Sequence, residues 1–319
     1  MHTILNKVYL WFAAIVVAAD ALWIGFGHFS IDARNYGLFF VFIPPLMIGA
    51  LFYDRVRNEP GISATFAGAA FLTVFSAACC LLSYLLLTVA GPRIDDLLAT
   101  IDRALGFHWP AVMAFAAHHQ TFTAILGLAY VSVIPQTIVL LLILGWRQQI
   151  DDSYGFCLAI AIGALITVLS WAMFPSFGAF SVYNLPHDVA SRLGLALDGD
   201  YGRALTQMLA NGPGFMSPRE LRGIVGFPSY HTAQALILTW YARKIPFVRW
   251  LALALNVTVL VSTPIHGGHH LVDLAGGMIV PVAAIVLADR IVAWAKAKAG
   301  AAIAPQTLAP SALTSADLL

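Results

Sequence analysis

The sequence predicts an all-α, polytopic membrane protein, and three observations carry that expectation. Of 319 residues, 60% are hydrophobic and only 10% charged, where a soluble domain carries about 25% charged residues. The mean hydropathy is +0.82. The apolar residues are gathered into stretches near the length, about 17–25 residues, that a helix needs to cross bilayer hydrocarbon. The formal net charge of +1, without a basic stripe, argues against a nucleic-acid partner, because such binding needs cations to neutralise phosphates. Cys79, Cys80 and Cys157 all lie in apolar runs and read as buried free thiols.

Eight stretches are expected to span: 8–27, 37–53, 62–90, 121–146, 154–178, 228–243, 246–265 and 270–295. The first reads as a retained anchor rather than a cleaved leader, since Asp20 and Trp23 prolong it past the faint Ala18-Ala19-Asp20-Ala21 pattern. An acid inside a span is costly, so Asp20 is either functional or near water. The third stretch is long enough to tilt. Pro44-Pro45, Pro135 and Pro175 are expected to kink their helices. Segment 91–120 carries apolar residues at helical spacing beside Asp95, Asp96, Asp102 and Arg103, the pattern of a helix lying in the interface. Segment 179–226 is the longest polar insertion, with short helices expected near Asp188–Arg192 and over 201–210. Residues 299–319, rich in Ala, Pro and Ser, are expected to be a disordered tail.

Charge in the short loops sets the expected orientation. Lys7, Arg55, Arg57, Arg147, Arg243, Lys244, Arg249, Lys296 and Lys298 fall on one side, and only Arg34 on the other. Positive loops stay in the cytoplasm. Both termini are therefore expected inside an inner or plasma membrane, with 91–120, 179–226 and the turn at 266–269 outside.

Two short stretches, placed on that same outer face, carry the chemistry. Gly226-Phe227-Pro228-Ser229-Tyr230-His231 opens the sixth span. Pro228 suits the first helical turn, where a missing N–H costs nothing. The free amides of Ser229, Tyr230 and His231, with the Ser229 hydroxyl, would then form an anion site at a helix N-terminus. His231 can protonate a leaving oxygen. The second stretch, Ser262 to Asp273, opens the eighth span. His269 and Asp273 are four apart, on one helix face. Asp273 can accept the Nδ1–H of His269 and leave Nε2 free to attack phosphorus. Gly267 and Gly268 permit close backbone approach to a phosphate oxygen. The expected reaction passes through a phosphohistidine, with His231 as acid and then base. His270 would point some 100° away from His269, and His266 is a candidate substrate contact. A zinc site from His266, His269 and His270 has poor spacing for one helix face, so no metal and no cofactor is expected.

These stretches resemble the type-2 phosphatidic acid phosphatase superfamily, which also includes vanadium haloperoxidases. Pro228, Ser229 and His231 match its Pro-Ser-x-His element. Ser262, His269 and Asp273 match its second element, Ser-Arg, five residues, His, three residues, Asp. The resemblance implies a six-helix catalytic core over 61–298, two added helices in 1–60, and catalytic His231, His269 and Asp273. It also implies phosphate contacts from Ser229, Tyr230, Gly267 and Gly268, with Ser262 as a further substrate contact. The family's upstream Lys and Arg-Pro motif has no counterpart, and Thr263 stands where an arginine is usual. Arg222 or Arg219 could replace a missing cation, and Arg222 is favoured. A site with fewer cations suits a singly charged diester better than a monoester near two charges. The wording Phe-Pro-Ser-Tyr-His and His-His-Leu-Val-Asp-Leu-Ala-Gly-Gly also looks more like the inositol phosphorylceramide synthase branch. The expected partners are therefore a phospholipid donor and a lipid acceptor in the bilayer, with head-group transfer favoured over hydrolysis. A transporter that kept the motif is a third reading, but broken helices in two repeated halves are not evident. The sequence leaves the lipid, the acceptor and the oligomeric state open.

Overall fold

Apolar runs in a bilayer leave backbone amides no partner but their own segment, so they fold as helices. The computed structural model describes residues 1–27, 29–193, 207–208, 210–219 and 223–301. Among these the regular structure is helical, apart from a lone bridge between Ile31 and Met216. The helices are α1 (His2–Gly27), α2 (Ala33–Phe40), α3 (Ile43–Arg55), α4 (Pro60–Leu86), α5 (Asp95–Ala104), α6 (Trp109–His118), α7 (Gln120–Val131), α8 (Val133–Trp146) and α9 (Ile150–Met173). They continue with α10 (His187–Leu193), α11 (Tyr230–Ala242), α12 (Val248–His266) and α13 (Leu271–Ala301).

Among the described residues, six segments are long and apolar enough to cross a membrane: α1, the α2–α3 run, α4 with its 3-10 extension to Val89, α9, α12 and α13. The pair α7–α8, bent by 46°, makes a seventh if it is one span. The chain is thus an all-α polytopic membrane protein, with one correction to the expected eight. Helix α11 has 13 residues, about 20 Å, which is short of the ~30 Å hydrocarbon core. It starts late because Phe227 to Ser229 are spent on a loop and a cap. The expected interfacial helix over 91–120 is two helices, α5 and α6, broken at Leu105–His108. Pro44 and Pro45 sit in the first turn of α3, just past the α2–α3 break. Pro135 lies at the start of α8, and Pro175 follows the end of α9. The expected tail begins as helix, since α13 runs to Ala301, and 302–319 lie outside the described residues.

Helices α4 and α9 form the centre, with α1 and α3 against α4, and α8, α11 and α13 against α9. Phe75, Tyr154, Phe156 and Trp171 are almost fully buried there. One end of this bundle closes with short turns at 55–60, 146–150 and 242–248, each containing a left-handed residue: Asn58, Gln148 and Phe247. The short-turn cations Arg57, Arg147, Arg243 and Lys244 lie at this end, whereas Arg34, Arg93 and Arg219 lie at the other. The other end carries the long connections 90–119 and 174–229. Asp32 belongs to that end. It caps α2 and accepts from Ser217 Oγ at 2.8 Å, and the Asn35 side-chain amide beside it holds its carboxyl below the usual range. Asp20, in α1, is buried at 3% exposure with neither oxygen hydrogen-bonded among the described residues, so it does not face water.

Candidate active site

The start of α11 is pressed against the start of α13 because two glycines allow it. A Cβ on Gly277 would stand 2.5 Å from Ser229 O, and one on Gly276 2.6 Å from the Phe227 ring. Ser229 is the N-cap, its hydroxyl accepting from Thr232 N, and its own N–H donates to Asp273 O at 2.9 Å. Two expectations are corrected here. Pro228 precedes the cap rather than occupying the first turn, and the Ser229 amide is not free. The amides of Tyr230 and His231 remain the first-turn N–H groups of α11, without intrahelical acceptors and at the positive end of its dipole.

His269 is 4% exposed. Its Nδ1 lies 3.1 Å from Asp273 Oδ2, and its Nε2 3.5 Å from Ser229 Oγ. The pair forms across the helix start, not along it. His269 precedes α13 by two residues, and Asp273 in the first turn reaches back to it. The same Asp273 oxygen accepts from His270 N at 2.9 Å. A carboxylate only accepts, so it keeps the proton on Nδ1 and leaves Nε2 bare. His231, two residues beyond Ser229, is half-buried. Its ring stacks on Tyr130 with centroids 4.0 Å apart and planes at 13°, and Tyr130 OH is 3.2 Å from Nδ1. Both imidazoles therefore stand at one end of the bundle, around the same helix start.

The N-terminus of α13 is filled by the protein's own anion. Asp102 of α5 accepts from Leu271 N (3.0 Å), Val272 N (3.2 Å) and the Nδ1 of fully buried His270 (3.2 Å). Seven residues earlier, Asp95 Oδ1 accepts from Phe177 N, Gly178 N and Ser176 Oγ at 2.8–3.0 Å, and Arg93 pairs with its other oxygen. That loop in turn donates Ala179 N to Gly268 O at 2.6 Å. Among the described residues, no carboxylate is paired with the first-turn amides of α11 in the way Asp102 is with those of α13.

The remaining expected residues are distributed as follows. Tyr230 sends its hydroxyl to Ile160 O at 3.1 Å, so only its backbone faces the site. Gly267 adjoins it: a Cβ there would meet the His269 ring at 2.6 Å and Tyr130 OH at 2.8 Å. Gly268 does not, because the Phe180 ring occupies the space at its α-carbon. Ser262 is fully buried and donates to Val259 O. His266 Nε2 lies 2.9 Å from Thr123 O, tying α12 to α7. Both side chains are thereby engaged with backbone rather than turned to a substrate. Arg222 lies outside the described residues. Among the described residues, no three His, Cys, Asp or Glu side chains are grouped to hold a metal ion.

Tyr130, Asp95 and Asp102 were not expected. Tyr130 sits in an apolar stretch with no local signal. The acids of α5 did have one, since Asp95 and Asp102 fall on one face two turns apart. That face turns inward, while Leu97, Ile101 and Leu105 are exposed.

No curated protein and no solved structure matches the chain. Residues 96–287, more than half its length, match the PAP2 superfamily, a group of phosphatases and phosphotransferases. The match begins within α5 and ends within α13, enclosing both histidines, and the chain belongs to the PAP2 superfamily.

Proposed function

We propose that this protein is a phosphotransferase that moves a phosphorylated head group from a phospholipid to a lipid or alcohol acceptor, in the manner of the inositol phosphorylceramide synthase branch. The single observation that supports the chemistry is the pairing of His269 Nδ1 with Asp273, with Nε2 turned to the open start of α11 that carries His231. In the first step His269 Nε2 bonds to phosphorus, the bond from phosphorus to the diacylglycerol oxygen breaks, and His231 protonates that oxygen. In the second step the acceptor oxygen bonds to phosphorus, its proton passes to His231, and the N–P bond breaks. The Tyr230 and His231 amides, with the Ser229 hydroxyl, hold the phosphate oxygens. Transfer is favoured over hydrolysis because Thr263, at the place of a family arginine, is buried and donates to Val259 O. Arg93 is paired with Asp95. A diester needs less fixed positive charge than a monoester.

On this reading α4, α7–α9 and α11–α13 form the catalytic core and α1–α3 are an addition. The site faces away from the cytoplasm, since the basic turns lie at the opposite end. Purified protein in detergent would be incubated with phospholipids, alone and with ceramide or diacylglycerol, following phosphate release and head-group transfer by mass spectrometry. The expected result is an acceptor-dependent product that keeps the head group, lost by about 10⁴-fold or more in His269→Ala. Inorganic phosphate from phosphatidate-like or polyprenyl phosphates, with water as sole acceptor, would identify a phosphatase instead. Full activity of His269→Ala on all these lipids would exclude the phosphohistidine.

A further inference from the structure

The two imidazoles differ in what stands behind them. His269 Nδ1 faces a carboxylate. His231 Nδ1 faces a neutral phenol, Tyr130, whose ring also lies flat on the imidazole. A carboxylate strengthens the ring as a nucleophile and holds any added proton firmly. The phenol oxygen, 3.2 Å from Nδ1, can donate or accept there, and as an acceptor it takes the Nδ1–H bond without the charge. The ring it holds can therefore give up a proton at Nε2 and take one back. Access for the phenol is built in: a Cβ on Gly267 would stand 2.8 Å from the Tyr130 oxygen, so only glycine leaves that oxygen its place.

Resting on the phosphotransfer reading above, we infer that Tyr130 is a positioning residue for His231. It fixes the ring by stacking and by a neutral acceptor at Nδ1, and so makes Nε2 the atom that exchanges protons with substrate. In the first step the Nε2 proton moves to the leaving oxygen as the bond from that oxygen to phosphorus breaks. In the second, the acceptor's proton moves to Nε2 as its oxygen bonds to phosphorus. The Nδ1–H stays on Tyr130 throughout.

Tyr130→Phe keeps the stacked ring and removes the hydroxyl. The test compares phosphatidylinositol, whose diacylglycerol oxygen must be protonated to leave, with the p-nitrophenyl ester of inositol phosphate, whose phenolate leaves unaided. Tyr130→Phe is expected to lower kcat/KM, which reads only as far as departure of the first leaving group, roughly 10- to 100-fold on the lipid, and much less on the nitrophenyl ester. Equal losses on both, or no loss on the lipid, would overturn the inference. In a His231→Ala background Tyr130→Phe should add almost nothing, and a fully additive loss would also overturn it. His269→Ala, run alongside, separates the two ideas. If it is inactive while Tyr130→Phe behaves as wild type, only the role of Tyr130 falls. If it remains active, the phosphotransfer reading falls. ¹⁵N spectra of histidine-labelled wild-type protein, assigned by difference from His231→Ala, need neither substrate nor the Tyr130 variant. The neutral His231 ring is expected to carry its proton on Nδ1, and a proton on Nε2 would overturn the assignment.

Discussion

The two ends of the bundle are fastened by different physics. At the site end, buried carboxylates take up backbone amides: Asp95 holds the 176–178 loop, Asp102 the start of α13, and Asp273 the backbone of His270. At the basic end, exposed ion pairs join helix ends. Lys244 meets Asp152 at 2.8 Å, with half of the lysine side chain exposed, and Lys296 meets Asp151. The connections explain the contrast. Turns of a few residues satisfy their own amides, whereas the long segments of the site end bury amides that regular structure leaves unpaired. A buried acceptor of several N–H groups also admits few alternative geometries. Such rigidity suits an end that, in the proposed phosphotransfer, holds two imidazoles about one phosphorus atom.

Four substitutions probe that contrast. Asp102→Ala should be the most damaging to the fold, because it strands two part-buried amides and the fully buried His270 ring. A loss of about 3–5 kcal/mol is expected, read as a large drop in thermal midpoint in detergent. A change near that of a surface mutation would show that the site end is not held by this acid. Next, Gly277→Ala would place a Cβ 2.5 Å from Ser229 O and push the start of α11 away from His269. A misplacement of about 1 Å costs on the order of 10²-fold in turnover. The same change at Gly300, where a Cβ meets nothing within 4 Å, should leave turnover unaltered. Matching effects at the two glycines would erase the distinction between the ends. The smallest effect is expected for Lys244→Ala, within about 1 kcal/mol because the pair is exposed and screened. Its thermal midpoint should scarcely respond to added salt, and a larger loss would move the basic end into the class of the site end.

Much of the site was legible because its chemistry is local in sequence. His269 and Asp273 are four residues apart, and Ser229 and His231 share one turn, so spacing alone brings each pair together. What lies behind them was not legible. Tyr130 is 101 residues from His231, and Asp102 is 168 residues from His270. An amphipathic pattern says that α5 has two faces but not which one meets the protein. The usual assumption, polar side to water, fails for Asp95 and Asp102 because their partners are amides left over from other segments. The length of α11 was misread for a related reason. Apolar composition continues through Phe227 and Pro228, and only the packing of that loop on Gly276 and Gly277 delays the helix.

By itself the sequence determined that the chain is helical and lives in a membrane, since hydropathy and segment length follow from composition alone. The spacing also put His269 close to Asp273 and Ser229 close to His231, because so few residues separate them, although His269 lies before its helix and not on it. The tertiary structure decided which helix start is open to an anion and which is closed by Asp102. It also decided that one histidine is backed by a carboxylate and the other by a phenol. Those choices depend on side chains far apart in the chain, brought together by burial, and no local pattern encodes such a meeting.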